Sequence, residues 1–105
     1  GKGLGHDFLR HIERTRILIH MVDMSSLEGR DAYKDYSNLN NELILYNPKL
    51  GEKIQILVAN KMDIPGAKEN IKKFRRSFKD KIYPVSALNG EGIEQLLEAI
   101  GRALD

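Results

Sequence analysis

The amino-acid sequence predicts an α/β fold, three-layered, with a parallel sheet carrying helices on both faces. Three observations lead there. Helix-like and strand-like apolar patterns alternate along the chain. The strand-like runs are nearly continuous in apolar residues, as in strands covered on both faces. Each run then ends on a polar cluster, where parallel sheets place their ligand edge.

Four helices and three strands follow in order. Residues 6–15 read as a helix with Phe8, Leu9 and Ile12 on one face. Residues 17–22 form a β-branched and aliphatic run that stops at Asp23, a first strand. Residues 31–46 read as a second helix with Tyr36, Leu39 and Leu43 along its inner stripe. Asn47-Pro48 ends it, because a residue before proline disfavours the helical region. Residues 54–59 form the second strand, apolar almost throughout. Residues 67–78 form a third helix, with Ala67, Ile71, Phe74 and Phe78 at helical spacing. Residues 82–85 make a short third strand that contains Pro84. Residues 93–104 close the chain as a fourth helix, with Ile93, Leu96, Leu97, Ile100 and Leu104 as its apolar stripe.

Composition narrows the possibilities. The 105 residues suffice for one small domain, with 41% hydrophobic and 30% charged residues as in ordinary globular proteins. No apolar run approaches the ~18 residues of a membrane helix, so no membrane span is expected. The absence of cysteine rules out a disulfide framework and any Cys-based zinc site, and is compatible with a cytoplasmic location. A net charge of +2 is too small to argue for nucleic acid by itself. His6, His11 and His20 make no recognisable ligand set, so neither a metal site nor a catalytic residue is expected in this chain. His20 interrupts a strand and is expected to pack in or near the core. Lys72, Lys73, Arg75, Arg76, Lys79 and Lys81 form a basic run that a solvated helix face explains, with phosphate contact as a secondary possibility.

The informative positions are those just after each strand: Asp23, then Asn60-Lys61-Met62-Asp63, then Ser86-Ala87-Leu88. A carboxylate at Asp63 can accept from two adjacent donors at once, and Lys61 joins a long apolar stem to a charged tip. Asn60 can tie neighbouring loops together through its amide. In the competing view Asp63 merely caps the helix that starts near Pro65. Ser86 lies 23 positions beyond Asp63, one helix and one strand later.

Asn60-Lys61-Met62-Asp63 resembles the NKxD motif of GTP-binding proteins, and Ser86-Ala87-Leu88 resembles the loop that completes their guanine pocket. That likeness implies that the Ser86 hydroxyl would orient Asp63 and that the small Ala87 would let the base approach the backbone. The amino-terminal third narrows the family. Gly1-Lys2-Gly3-Leu4-Gly5-His6, followed by Phe8-Leu9-Arg10-His11-Ile12-Glu13-Arg14, is similar to the segment after the DxPG motif in Obg-type (CgtA-type) GTPases. Val22-Asp23-Met24-Ser25, Gly29-Arg30-Asp31, Tyr36 with Leu39, Glu42-Leu43 and Tyr46-Asn47 match that family as well.

The resemblance covers essentially the whole chain. It implies the carboxy-terminal portion (residues 1–105) of a Ras-like, P-loop NTPase type G domain. GTP or GDP would be the ligand, and Asn60, Lys61, Asp63, Ser86, Ala87 and Leu88 the guanine-binding residues. Gly1, Gly3 and Gly5 would be the tail of the second switch. It implies a parent GTPase that acts in assembly of the large ribosomal subunit, with the ribosome and its RNA as partners.

No GxxxxGK[ST] occurs; Gly51-Glu52-Lys53 lacks both the preceding glycines and the following Ser or Thr. The resemblance therefore places the phosphate cradle, the magnesium ligands and three further strands upstream, with this segment expected to be inactive alone. Residues 17–22 should then be an exposed edge strand. The alternative is a nucleotide-inactive α/β interaction module derived from such a domain.

Overall fold

The computed structural model describes residues 6–25 and 31–105, and the side chains of His6 and Phe8 are not among what it describes. Gly1, Gly3, Gly5, Gly29 and Arg30, named above for their family resemblance, lie outside these residues.

The expected order of elements is present: α1 (His6–Glu13), β1 (Ile17–Asp23), α2 (Ala32–Tyr46), a 3-10 turn (Pro48–Glu52), β2 (Ile54–Asn60), α3 (Ala67–Ser77), β3 (Ile82–Pro84) and α4 (Ile93–Leu104). The three strands form one sheet in the order β1-β2-β3, parallel throughout. β2 is the central strand, and Ile56, Leu57, Val58 and Ala59 are buried in succession because both of its faces are covered. Pro84, which has no amide hydrogen to donate, sits on an edge strand where that loss is tolerated.

Two apolar layers flank the sheet. On one face Val22, Leu57, Ala59 and Ile82 meet Ala67, Ile71 and Phe74 of α3 and Ala32 of α2. Tyr33, Tyr36, Phe74 and Phe78 add a cluster of edge-on and tilted rings, with centroids 5.5–6.0 Å apart. α1 docks through Leu9 onto Leu43 and Leu50, with Ile12, Leu18 and Tyr46 packed around them. On the opposite face α4 lays Leu96 over Ile56, Val58 and Val85.

The helix ends have local causes. The Asp31 carboxylate accepts from the amides of Tyr33 and Lys34 at 2.9 and 3.3 Å, capping α2. Asn47 takes an extended conformation (φ −155°, ψ 111°) ahead of Pro48 and stops the same helix, as expected. α1 ends two residues before the expected Thr15. There the amides of Arg14 and Thr15 bond three residues back, and the Thr15 hydroxyl donates to the Ile12 carbonyl.

The apolar stripe of α4 differs in detail from the expectation. Leu96 and Ala99 are buried, with Ile93, Ile100 and Ala103 packed beside them, while Leu97 and Leu104 are 61% and 43% exposed. The heptad-like spacing 93-97-100-104 and the spacing 93-96-100-103 both satisfy a helical period. The sheet surface selects the second.

Candidate functional site

The parallel register places the three polar clusters at one edge of the sheet. Asp23 pairs with Asn60, and Ala59 with Pro84. Beyond the strands, backbone bonds continue the ladder. The Met24 amide donates to the Asn60 carbonyl (3.0 Å), the Val85 amide to Ala59 (2.7 Å), and the Met62 amide to Val85 (3.1 Å). The loops after β1, β2 and β3 are thus stitched side by side, and residues distant in sequence face one another.

Ser86 is the best-buried polar residue at this edge, with no exposed area. Its hydroxyl donates to Asp63 Oδ1 at 2.7 Å and accepts from the Asn89 amide at 3.1 Å. The loop closes around it: the Ser86 amide donates to the Glu91 carbonyl (3.0 Å), and the Gly90 amide donates back to the Ser86 carbonyl (2.7 Å). Gly92 packs against β3 so tightly that a Cβ there would lie 2.1 Å from the Pro84 carbonyl oxygen, and its φ is +76°. Only glycine fits both conditions. This requirement is invisible in the sequence, where Asn89-Gly90-Glu91-Gly92 reads as an ordinary glycine-rich turn.

Asp63 is half-buried and does not cap α3. That helix begins at Ala67 with Gly66 as its N-cap, in the left-handed region (φ +91°) and without a side-chain cap bond. The helix-cap alternative for Asp63 therefore does not hold. Ser86 engages only one of its carboxylate oxygens, and the Ala87 amide beside it bonds to no carbonyl among the described residues. Ala87 and Leu88 are exposed, Leu88 to 83%.

Asn60 turns its amide toward β1. Nδ2 lies 3.4 Å from the Met21 sulfur, while Oδ1 is buried with no hydrogen-bond partner among the described residues. A buried acceptor left unmet costs roughly 1–3 kcal/mol. Lys61 has the positive φ (+64°) that a side chain rarely adopts, and its ammonium pairs with Asp23 Oδ2 at 3.0 Å.

Asp23 Oδ1 in turn accepts from the Ser25 amide (2.8 Å) and hydroxyl (2.6 Å). The Ser25 bonds first, and then the Lys61 ammonium, hold the Asp23 carboxyl below the usual carboxylate range. Asn70 of α3 fixes the same loop by donating to the carbonyls of Met24 (2.8 Å) and Ser25 (3.3 Å). In the sequence Asp23 stands out by its place after a strand and by the family likeness of Val22-Asp23-Met24-Ser25. Its pairing with Lys61 and the bracing by Ser25 and Asn70 depend on the folded backbone.

His11 and His20 take no part at this edge. His20 is half-buried against Tyr36, ring centroids 4.8 Å apart, and burial lowers its pKa from 6.5. His11 is exposed on α1. Among the described residues no group of three or more His, Asp or Glu side chains converges to hold a metal ion. The basic residues of α3 and the loop after it are solvent-exposed, and no helix among the described residues is long and apolar enough to cross a membrane.

No protein-family model matches the chain. Curated proteins do. GTPase Obg of Bacillus cereus is 52% identical over 107 aligned positions, covering 100% of this chain and 25% of that protein. GTPase Obg of Halalkalibacterium halodurans is 55% identical over 102 positions, 95% of this chain and 24% of that protein. GTPase Obg of Bacillus pumilus is 52% identical, again over the whole of this chain and 25% of that protein. The chain spans about a quarter of the length of the curated relatives it matches.

Proposed function

We infer that this chain, homologous over its whole length to part of the GTPase Obg proteins, supplies guanine recognition to a GTPase of that kind. Residues 1–105 are then the carboxy-terminal portion of its G domain. The observation that carries the reading is the 2.7 Å bond from buried Ser86 to Asp63, made across two loops that meet only through the sheet register.

The chemistry follows from guanine itself. Its ring N–H and exocyclic amino group lie side by side, and the carboxylate of Asp63 can accept from both. Ser86 holds that carboxylate in one orientation before the base arrives, which lowers the entropy lost on binding. The Ala87 amide stands ready to donate to the keto oxygen, and Lys61 to cover one face of the ring. Adenine presents an acceptor where guanine has the ring N–H, leaving the carboxylate desolvated and badly paired, at about 1–3 kcal/mol or more. The unmet Asn60 Oδ1 fits the same reading, as an acceptor for a backbone amide of the phosphate-binding half.

In this reading the ligand is GTP or GDP, and hydrolysis belongs to the whole protein. Gly1, Gly3 and Gly5 are the tail of the second switch. Magnesium would be held by residues other than those described, which offer no ligand cluster, so no step here runs through it. Action in large-subunit assembly, ribosomal RNA as a partner and a cytoplasmic location are proposed with the family likeness as their support. A nucleotide-inactive interaction module is the competing reading, and it predicts no base selectivity.

The test is Asp63→Asn in the full-length protein, read by competition between guanine and xanthine nucleotides. Xanthine replaces the amino donor with a keto acceptor, which an amide can complement. Preference should move from guanine toward xanthine by at least about a hundredfold in relative affinity, as expected when a buried polar pair is mismatched. Unchanged guanine selectivity would remove Asp63 from the base-reading role.

A further inference from the structure

We propose that Asp23 is a positioning residue for guanine recognition: braced by Ser25, its carboxylate anchors the Lys61 ammonium so that the lysine stem lies ready as a floor for the base. The proposal rests on the guanine-reading role given above to the loops after β2 and β3.

The geometry is specific to this edge. Asp23 and Asn60 are register partners at the ends of β1 and β2, so Lys61 begins one residue beyond the seam between the strands. Lys61 then adopts φ +64°. That conformation costs a non-glycine residue roughly 1–2 kcal/mol, so something must favour it. It sends the side chain across the seam to Asp23 Oδ2 at 3.0 Å, while Asp63, two residues on, is drawn the other way to Ser86 of the loop after β3. One tetrapeptide thus spreads its lysine over β1 and its carboxylate toward β3, with the strand end between them.

Asp23 is itself held from the far side. The Ser25 amide and hydroxyl both donate to Oδ1, leaving Oδ2 aimed at the ammonium. The Asn70 amide fixes the carbonyls on which that turn depends. A lysine side chain free in solvent samples many rotamers, and ordering it costs about 2 kcal/mol of entropy. Anchored in advance at its tip, the stem has lost most of that freedom before a base is laid on it.

Exposure separates this role from a purely structural one. The side chains of Lys61 and Asp23 are 53% and 50% exposed, so the pair adds little to fold stability. Its consequence should appear in nucleotide binding, where a stacked base excludes water from the stem.

The experiment uses the full-length protein and fluorescent GDP and GTP, comparing wild type, Asp23→Asn, Lys61→Ala and the double variant. Asp23→Asn keeps the shape and the bond from the Ser25 amide but removes the charge. Both nucleotides should dissociate roughly tenfold faster, as happens when a residue orienting a ligand-contacting group is lost. The guanine-over-xanthine ratio should not move, because a floor is blind to the edge of the base. In the Lys61→Ala background, Asp23→Asn should add less than about twofold, since its effect passes through the lysine. Asp23→Glu should restore part of the affinity, and Ser25→Ala should weaken binding in the same direction by a smaller factor.

Unchanged dissociation in Asp23→Asn, or an equal loss whether or not the lysine is present, would overturn the proposal. If Asp23→Asn fails to fold, Ser25→Ala decides, with unchanged dissociation again counting against it. The two readings fail separately. Asp63→Asn without a change in base preference removes guanine reading, whereas a normal xanthine switch beside an inert Asp23→Asn removes only this anchor.

Discussion

At the scale of single residues, the carboxyl edge of the sheet is built on a few positions with no slack. Gly92 combines φ +76° with a virtual Cβ 2.1 Å from a backbone oxygen, whereas Gly90 has φ +78° and open space around it. Gly92→Ala should therefore destabilise by about 2–4 kcal/mol, the sum of backbone strain and a clash that β3 must move to relieve. Gly90→Ala should cost only about 1 kcal/mol, from strain alone. Denaturant titration of the two variants checks the difference, and equal midpoints would contradict it.

His20 gives a residue-scale pH dependence. Burial lowers its pKa below 6.5, so the unfolded chain takes up a proton before the folded chain does. Stability should fall as pH drops below about 6.5 and be unaffected by this group above that value. His20→Phe should flatten the fall measured between pH 7.5 and 5.5.

At the scale of elements, the sheet decides which of several plausible helix faces turns inward. α4 has two apolar stripes of nearly equal quality, and the side chains of neighbouring Leu96 and Leu97 end in opposite environments, 8% and 61% exposed. Leu96→Ala should destabilise by about 2–4 kcal/mol and Leu97→Ala by less than about 0.5 kcal/mol. Comparable losses would mean that α4 sits rotated about its axis. α3 carries the other layer through Phe74, which is 1% exposed and touches the rings of Tyr33, Tyr36 and Phe78. The basic side of the same helix faces solvent, as its period requires once Ala67, Ile71 and Phe74 are buried.

At the scale of the whole molecule, β1 lies at one edge of the sheet, as the family resemblance led us to expect. Ile19 and Met21 on this strand are 46% and 56% exposed, and Leu97 lies open on the neighbouring α4. An apolar edge with free backbone donors and acceptors favours association. The isolated segment should show an apparent mass that rises with concentration in sedimentation or solution scattering. Met21→Lys, a charge on that edge, should shift it back toward monomer. A clean monomer at high concentration in the unaltered chain would contradict this. On the proposed reading GTP should bind the isolated segment weakly, because its loops would meet the base while the phosphate cradle would belong to another part of the protein. Micromolar, magnesium-dependent binding by calorimetry would sink that expectation.

The sequence by itself determined the fold class, the order of its elements and the residues that follow each strand. Those features are local. Apolar period, β-branched runs and Asn47-Pro48 as a stop act within a turn or two of the chain. The likeness of its two loops to those of GTP-binding proteins also implied that Ser86 would orient Asp63, and the parallel register brings those two strand ends together. Only the tertiary structure decided which stripe of α4 is buried, why Gly92 must be glycine, and that Asp23 reaches Lys61. These depend on how one surface meets another and on the sign of a single φ, neither of which is encoded in residue type alone. The ligand edge was thus legible as a set of candidates, while the brace behind it, from Asn70 through Ser25 and Asp23 to Lys61, became visible only when separated segments were folded side by side.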